Sequence, residues 1–267
     1  MTSPSFRELC FVLKTFPYQE RDLIATLFSE NRGRFSAMAR NGVQSRRFGG
    51  SLNLFCASDF EISPKTIRIQ ELNEDGLVQI LSAHTRHVSE NMGKSFERLS
   101  AGSALNELIV KIVPAHKAVP EVFKLYSNSL FALNELPEEK AICVVNAFIL
   151  KITQWLGVQP SLTRCLHCQK ALNEVPGDFV YPQVHKGAWL CEACFPDHSG
   201  QKLHKMVVLD AFHSMLHPIR KIEFQAVKRD HEALLDMLEK HLQYFVPGLD
   251  RAPLSAIHFL KSPQLPF

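Results

Sequence analysis

Four cysteines in the second half of the chain restrict its fold more than any other feature. Cys165 and Cys168 form one Cys-x-x-Cys pair, and Cys191 and Cys194 form a second pair, separated from the first by 22 residues. Each pair places two thiolates on one tight turn, and Zn2+ prefers four such ligands in a tetrahedron at about 2.3 Å. The spacing therefore predicts one zinc ion per chain. Because four sulfurs leave no position open for water or substrate, we expect this ion to be structural.

The segment that carries these cysteines, about residues 160–197, is rich in loops and too small to hold a core of its own. Apolar residues around Val180 and Leu190 favour a hairpin between the two pairs, which the metal would fasten. A redox role is disfavoured because a thioredoxin-like Cys-x-x-Cys occurs as one pair in a βαβ setting. The other three cysteines lie among apolar neighbours and are interpreted as small buried residues: Cys10, Cys56 and Cys143.

The first 75 or so residues have the pattern of short β-strands separated by turns. Asn41-Gly42 is a strong hairpin signal, and Gly49-Gly50 interrupts the chain again. Five short strands with closely spaced turns favour a small barrel or a sandwich. The predicted strands lie at residues 9–13, 22–28, 34–40, 52–62 and 66–72.

From about residue 77 onward, apolar residues recur at steps of three and four, which is typical of amphipathic helices. The clearest example runs from Ile142 to Leu156, with Pro137 before it and Gly157 just past its end. We therefore predict an α+β chain with a β domain at 1–76 and a helical domain at 77–267, in which the cysteine segment is embedded. Further helices are predicted at residues 77–95, 104–113, 119–133, 202–216 and 231–245.

Composition and missing motifs limit the class of protein. The chain is 46% hydrophobic and 21% charged, as in an average globular protein, and no apolar run approaches the roughly 20 residues of a membrane helix. Charges near the N-terminus do not fit a secretory signal, so we expect a cytoplasmic protein without membrane contact. Gly93-Lys94-Ser95 resembles the end of a phosphate-binding loop, but Val88 stands where that loop needs glycine. With no other catalytic motif, we expect no enzymatic activity.

A local surplus of arginine lies within the β-rich segment. The formal net charge is only +3, yet no acidic residue occurs between Glu30 and Asp59 while five arginines do. Arginines neutralise phosphates, and aromatic rings stack on unpaired bases. We therefore predict a nucleic-acid-binding face, although a merely solvated charged face, or a DNA site near Lys202 and Lys205, would be an alternative. The predicted DNA-binding residues are Arg32, Arg34, Arg40, Arg46 and Arg47, with Phe35 and Phe48 interleaved among them.

Several motifs, in order along nearly the whole chain, resemble those of the bacterial recombination mediator family RecO. They are the Tyr18-Gln19-Glu20-Arg21-Asp22 element, the stretches at 33–42 and 45–52, and the stretch at 156–162 that leads into the first cysteine pair. The sequence departs from the family at Gln169, where many members have glycine. It also lacks the lysines often found in the loop at 41–45.

The resemblance implies an N-terminal OB-fold, a helical domain and a zinc module. It also implies binding of single- and double-stranded DNA, annealing of complementary strands and, together with RecR, loading of RecA onto DNA coated by single-strand-binding protein. Such a protein would be cytoplasmic and associated with the nucleoid.

Two other readings stay open. In one, the chain is a protein-interaction adaptor whose helical domain binds the acidic, Phe-ending C-terminal tail of single-strand-binding protein, and DNA contact is secondary. In the other, the chain is a metal-dependent enzyme, which would require an open coordination position on the metal.

Overall fold

A computed structural model describes residues 4–67, 76–195, 200–251 and 254–261. The chain divides into two compact units that interleave along the sequence. The first unit comprises residues 1–92 and 106–130, and the second comprises residues 93–105 and 131–267. These units differ from the two consecutive segments, 1–76 and 77–267, that the change of periodicity near residue 76 suggests.

Five strands of the first unit form a closed barrel in the order β1-β2-β3-β5-β4. β3 and β5 pair in parallel, through Ala37 with Val78 and Met38 with Gln79, whereas all other neighbours are antiparallel. This arrangement is that of the OB-fold, so the predicted fold of the N-terminal part is confirmed. The strands are β1 (Phe6–Tyr18), β2 (Asp22–Ser29), β3 (Gly33–Ala39), β4 (Ala57–Ile67) and β5 (Leu77–His87).

The barrel interior is filled from alternate positions of the strands, and in β3 these are Phe35, Ala37 and Ala39. Phe48 and Phe60 complete the same cluster. The opposite face of β3 is buried as well, because Met38 packs with residues of β2 and β5 in a second, smaller cluster. Both faces of this strand therefore carry buried residues.

One predicted helix, at residues 77–95, is wrong. The segment forms β5, which completes the barrel, so the barrel extends beyond the predicted boundary at residue 76. The strand predicted at 52–62 begins only at Ala57, since residues 51–55 form turns. Of the strand predicted at 66–72, residues 68–72 lie outside the described residues.

The other predicted helices are present. α3 forms the centre of the second unit: 12 of its 15 residues are buried, and it packs against both α4 and α5. This burial on all sides agrees with its nearly continuous apolar sequence. The helices are α1 (Phe96–Ile112), α2 (Pro120–Glu135), α3 (Ala141–Trp155), α4 (Lys205–Leu216), α5 (Lys228–Phe245) and α6 (Ser255–Lys261). Within the described ranges, no helix combines the length and the apolar content that crossing a bilayer requires.

A small sheet in the second unit holds the cysteine segment. β6 (Phe179–Gln183) pairs antiparallel with β7 (Ala188–Cys191), and β8 (Leu203–His204) pairs with the other side of β6. β6 and β7 are the hairpin expected between the two cysteine pairs. The second pair therefore begins on a strand, since Cys191 is the last residue of β7.

Candidate metal centre and nucleic-acid interface

The structure brings the four predicted metal ligands together. The Sγ atoms of Cys165, Cys168, Cys191 and Cys194 all lie within 4.8 Å of one another, and those of Cys168 and Cys191 are 3.8 Å apart. Four sulfurs at about 2.3 Å from a tetrahedral zinc ion are roughly 3.8 Å apart, so the cluster has the dimensions that the metal requires. The four cysteines are compatible with a zinc site.

Backbone hydrogen bonds shape the first cysteine pair into a tight turn. The N–H of Gln169 donates to the carbonyl oxygen of Cys165 at 3.0 Å, and the N–H of Cys165 donates to that of Lys170 at 2.9 Å. Gln169 adopts a left-handed conformation, with φ of 60°. The N–H of Leu166 donates to the carbonyl of Trp189 on β7 at 2.9 Å, which places the first pair beside the second.

The electrostatics of the cluster favour a bound dication. Burial raises the pKa of the Cys165 thiol, but backbone N–H groups, above all that of Cys191 at 3.3 Å from Sγ, outweigh this and lower the pKa to about 6. Hydrogen bonding to Cys191 and the other thiols raises the pKa of Cys194 to about 12. Four adjacent thiols cannot all lose their protons without a compensating positive charge, which Zn2+ supplies.

Three of the predicted arginines lie together where β3 ends. Arg40, Arg46 and Arg47 are exposed, and the guanidinium of Arg47 donates to the carbonyl oxygen of Arg40 at 3.3 Å. A fourth exposed arginine, Arg21, lies in the turn between β1 and β2. Its carbonyl oxygen accepts a hydrogen bond of 3.1 Å from the N–H of Val43, which follows β3 in the chain. Among the described residues, none of these side chains forms an ion pair. We call Arg21, Arg40, Arg46 and Arg47 the barrel-end arginines.

The other two predicted arginines lie at the opposite end of β3, about 20 Å away for a strand of seven residues. Arg32 is half-exposed and its guanidinium carbon lies 3.9 Å from the centre of the Phe6 ring. Arg34 is partly buried, and its Nε donates to the carbonyl oxygen of Val113 at 3.2 Å. The structure thus separates the five arginines into two groups and does not place them on one face.

The two phenylalanines predicted to contact DNA are buried. Phe35 is 4% exposed and Phe48 is 2% exposed, because both rings belong to the barrel core. Neither ring therefore offers a face on which a base could stack in this conformation. The guanidinium of Arg47 covers Phe48 at 5.0 Å from the ring centre, so this ring supports an arginine instead.

A cleft of about 330 Å3 lies in the first unit beside Arg32. No local motif marks it in the sequence, because its residues come from segments that are far apart in the chain. The lining residues are Phe6, Asn31, Arg32, Phe35, Pro64, Val78 and His116.

The lysines considered as an alternative DNA site lie beside the cysteine segment. The Nζ atom of Lys202 lies 4.3 Å from the centre of the Phe179 ring, and that of Lys205 donates to the carbonyl oxygen of Val175. Lys205 is partly buried by this contact, whereas Lys202 is exposed, so of these two lysines Lys202 is the one accessible to DNA.

Comparisons with known proteins match both parts of the chain to a single family. The family described as Recombination protein O N terminal matches residues 1–84, and that described as Recombination protein O C terminal matches residues 93–251. The chain is 30% identical over 189 residues to DNA repair protein RecO of Anaeromyxobacter sp. (strain K), covering 69% of this chain and 68% of the relative. It is 28% identical over 186 residues to DNA repair protein RecO of Syntrophus aciditrophicus (strain SB), with coverages of 69% and 68%.

Proposed function

This chain belongs to the recombination protein O family and has a role in DNA repair, and from that premise we propose that it is a recombination mediator that binds single- and double-stranded DNA and anneals complementary strands. The observation that carries this proposal is the group of barrel-end arginines. They are exposed and lie at one end of the barrel, and among the described residues none of them forms an ion pair. Unpaired guanidinium groups are suited to phosphates, which are spaced regularly along any DNA strand.

Annealing by such a surface is electrostatic. Two strands repel each other because of their phosphates, and a basic surface neutralises part of that charge so that their bases can meet. Contacts to phosphate carry no sequence information, so base pairing supplies the specificity. This mechanism uses no catalytic side chain and no bound nucleotide.

The family resemblance supports extending the proposal to protein partners. We propose that the chain acts with RecR to help load RecA onto DNA coated by single-strand-binding protein, and that it binds the C-terminal tail of the latter. The place of action would be the cytoplasm, at the nucleoid.

The cysteine cluster supports a structural role for one zinc ion. Bound to the four sulfurs, the ion would join the turn at Cys165 to the end of β7 and so hold a segment that is too small to have its own core. With all four ligands from the protein, the metal would offer no open position to a substrate. The ion therefore stabilises the module and leaves DNA contact to the arginines.

The salt dependence of DNA binding tests the proposal. Replacing Arg40, Arg46 and Arg47 together by alanine removes up to three phosphate contacts, and each contact to duplex DNA contributes about 0.9 to the slope of log K against log salt. We expect the slope to decrease in magnitude by about 2 to 3 and strand annealing to slow in parallel. The matched control is Arg220→Ala, which removes an exposed arginine that pairs with Glu135 at 2.6 Å in the second unit.

An unchanged slope in the triple variant would contradict the proposed site and favour one near Lys202. If the wild-type protein binds the tail peptide of single-strand-binding protein but binds bare single-stranded DNA only weakly, the adaptor reading is favoured.

A further inference from the structure

The cleft beside Arg32 combines chemical groups that the barrel-end arginines do not offer. It presents a guanidinium, an imidazole and an amide beside two aromatic rings, within one space of about 330 Å3. We propose that this cleft binds one unpaired nucleobase of a single DNA strand, with the base stacked on the guanidinium of Arg32. The inference rests on the proposed function and adds to it a site that distinguishes single strands from duplexes.

Arg32 is held in a position suited to stacking. Its guanidinium carbon lies 3.9 Å from the centre of the Phe6 ring, so one side of the guanidinium rests on an aromatic surface. Its Nε lies 3.8 Å from a carboxylate oxygen of Glu8, which is itself buried. With half of the arginine side chain exposed, the guanidinium remains accessible as a flat cationic surface, on which bases stack well.

Glu8 also connects Arg32 to a second group of the cleft. Its other carboxylate oxygen accepts a hydrogen bond of 3.0 Å from Nδ2 of Asn31, so one buried carboxylate orients both neighbours. The amide group of Asn31 can donate to and accept from the edge of a base. Glu8 is thus a positioning residue for the two polar groups.

His116 contributes the imidazole from a loop that packs against β3. Its N–H donates to the carbonyl oxygen of Arg34 at 2.8 Å, and it adopts a φ of 57°. Histidine is among the few non-glycine residues that are enriched at positive φ, and the side chain of His116 is exposed. The ring is free to stack or to hydrogen-bond with a ligand in the cleft.

The chemistry of the cleft favours an unpaired base over other occupants. Its size is at the lower end of the range for small-molecule pockets, which suits one flat heterocycle better than a peptide segment. The guanidinium of Arg32 can also donate an N–H to the phosphate of the bound nucleotide. Lys117, next to His116, is exposed and provides a second positive charge near the cleft. Bases in a duplex are stacked and paired, so only a single strand can supply one to this site.

Arg32→Lys in the full-length protein separates stacking from charge. Lysine retains the positive charge but has no flat surface, so we expect duplex affinity and the salt slope to stay unchanged. Affinity for a single strand should fall about tenfold, the scale of one lost base–side-chain stack. His116→Gly, which suits the positive φ and removes only the ring, should act in the same direction.

A strand of equal length that lacks bases provides the second comparison. We expect wild type to bind it about tenfold more weakly than the base-containing strand, and Arg32→Lys to reduce that difference. The proposal would be overturned if Arg32→Lys binds the base-containing strand as tightly as wild type does. Equal weakening for single strand and duplex would also overturn it, because that result indicates a general charge or folding effect.

Failure of the proposed function itself is distinguishable, since wild type would then bind neither strand nor duplex. Equal melting temperatures of the variants and wild type verify that the fold is retained.

Discussion

The Nε2 atom of His231 lies 3.2 Å from a carboxylate oxygen of Asp210 in the interior of the second unit, where both side chains are almost fully buried. Asp210 also accepts hydrogen bonds from the N–H groups of Gln225 and Ala226 at 2.9 and 2.8 Å. On the other side of the ring, Nδ2 of Asn146 lies 3.3 Å from Nδ1 of His231. The network joins α3, α4 and α5 through one residue of each.

Asp210→Asn should destabilise the protein. The amide has a single oxygen to accept from two N–H groups and the imidazole, so buried donors lose their partner. The expected decrease in the free energy of unfolding is about 2–4 kcal/mol, measured by urea denaturation. Asp250→Asn, at an exposed aspartate, is the control and should change it by less than about 0.5 kcal/mol.

The same pair predicts a pH dependence of stability. Burial raises the pKa of Asp210, but hydrogen bonds from His231, Ala226 and Gln225 outweigh it and hold the pKa below its usual value. A carboxylate with a depressed folded-state pKa stabilises the fold above its unfolded pKa of about 3.9, and this contribution is lost as the pH falls through the folded value. The stability difference between wild type and Asp210→Asn should therefore shrink as the pH falls below about 4. A constant difference down to pH 2 would contradict this assignment.

Removal of the metal should affect the cysteine module and spare the barrel. Elemental analysis of protein purified without added metal should find one zinc per chain, and Cys165→Ser should lower this content and destabilise β6 and β7. Hydrogen exchange is the direct measurement, with faster exchange at residues 162–195 and unchanged protection in β1 and β2. Cys143→Ser provides a control, because this buried cysteine lies in α3, outside the cluster.

Gln169 offers a test of backbone strain in the first cysteine pair. Because its φ is 60°, glycine should be tolerated there, with a change in unfolding free energy below about 0.5 kcal/mol. The glycine variant loses the hydrogen bond of 3.0 Å from Nε2 of Gln169 to the carbonyl oxygen of Leu166. The relief of backbone strain offsets this loss. Gln169→Val should instead cost about 1–2 kcal/mol, since a β-branched residue is strongly disfavoured at positive φ. Equal stabilities of the glycine and valine variants would contradict the assigned conformation.

Gly33→Ala should be strongly destabilising. Gly33 has a φ of 68°, and an added Cβ would lie 1.9 Å from the carbonyl oxygen of Lys117, which is backbone and cannot rotate away. We expect a loss of more than about 3 kcal/mol by thermal or urea denaturation. Gly49→Ala is the matched control: its φ of 48° gives similar strain, but nothing lies within 4 Å of the added carbon. The difference between the two variants measures the contact with Lys117.

The cluster of four cysteines could be predicted because its members follow a local spacing, whereas the last strand of the barrel could not. In β5, Ser82 pairs with Glu61 while Ile80 pairs with Ile62, so Leu81 is an extra residue that interrupts the alternation. Both faces of β5 are also buried near its start, with Ile80 in the barrel interior and Leu77 in the smaller cluster with Met38. These two buried residues stand three apart, which is a spacing typical of a helix. A bulge depends on the partner strand and leaves no separate mark in the sequence.

The sequence shows the residue types of the proposed nucleic-acid interface but not their arrangement. The surplus of arginine is visible in the sequence, but its division between the two ends of β3 depends on how the turns fold. The orientation of Phe48 was not predictable either, because an aromatic ring that follows two arginines in the sequence can point to solvent or into the barrel. The cleft residues Phe6, Arg32 and His116 meet only through tertiary packing.

The short parallel pairing of β3 with β5 also determines where the barrel can open. β3 and β5 pair through two residue pairs, whereas β1 and β2 pair through eight. Amide hydrogens at this seam should therefore exchange with solvent sooner than those of the neighbouring strands, without global unfolding. Phe35 and Val78, one on each side of the seam, both line the cleft, so small separations of these strands would widen the cleft while the rest of the barrel stays intact.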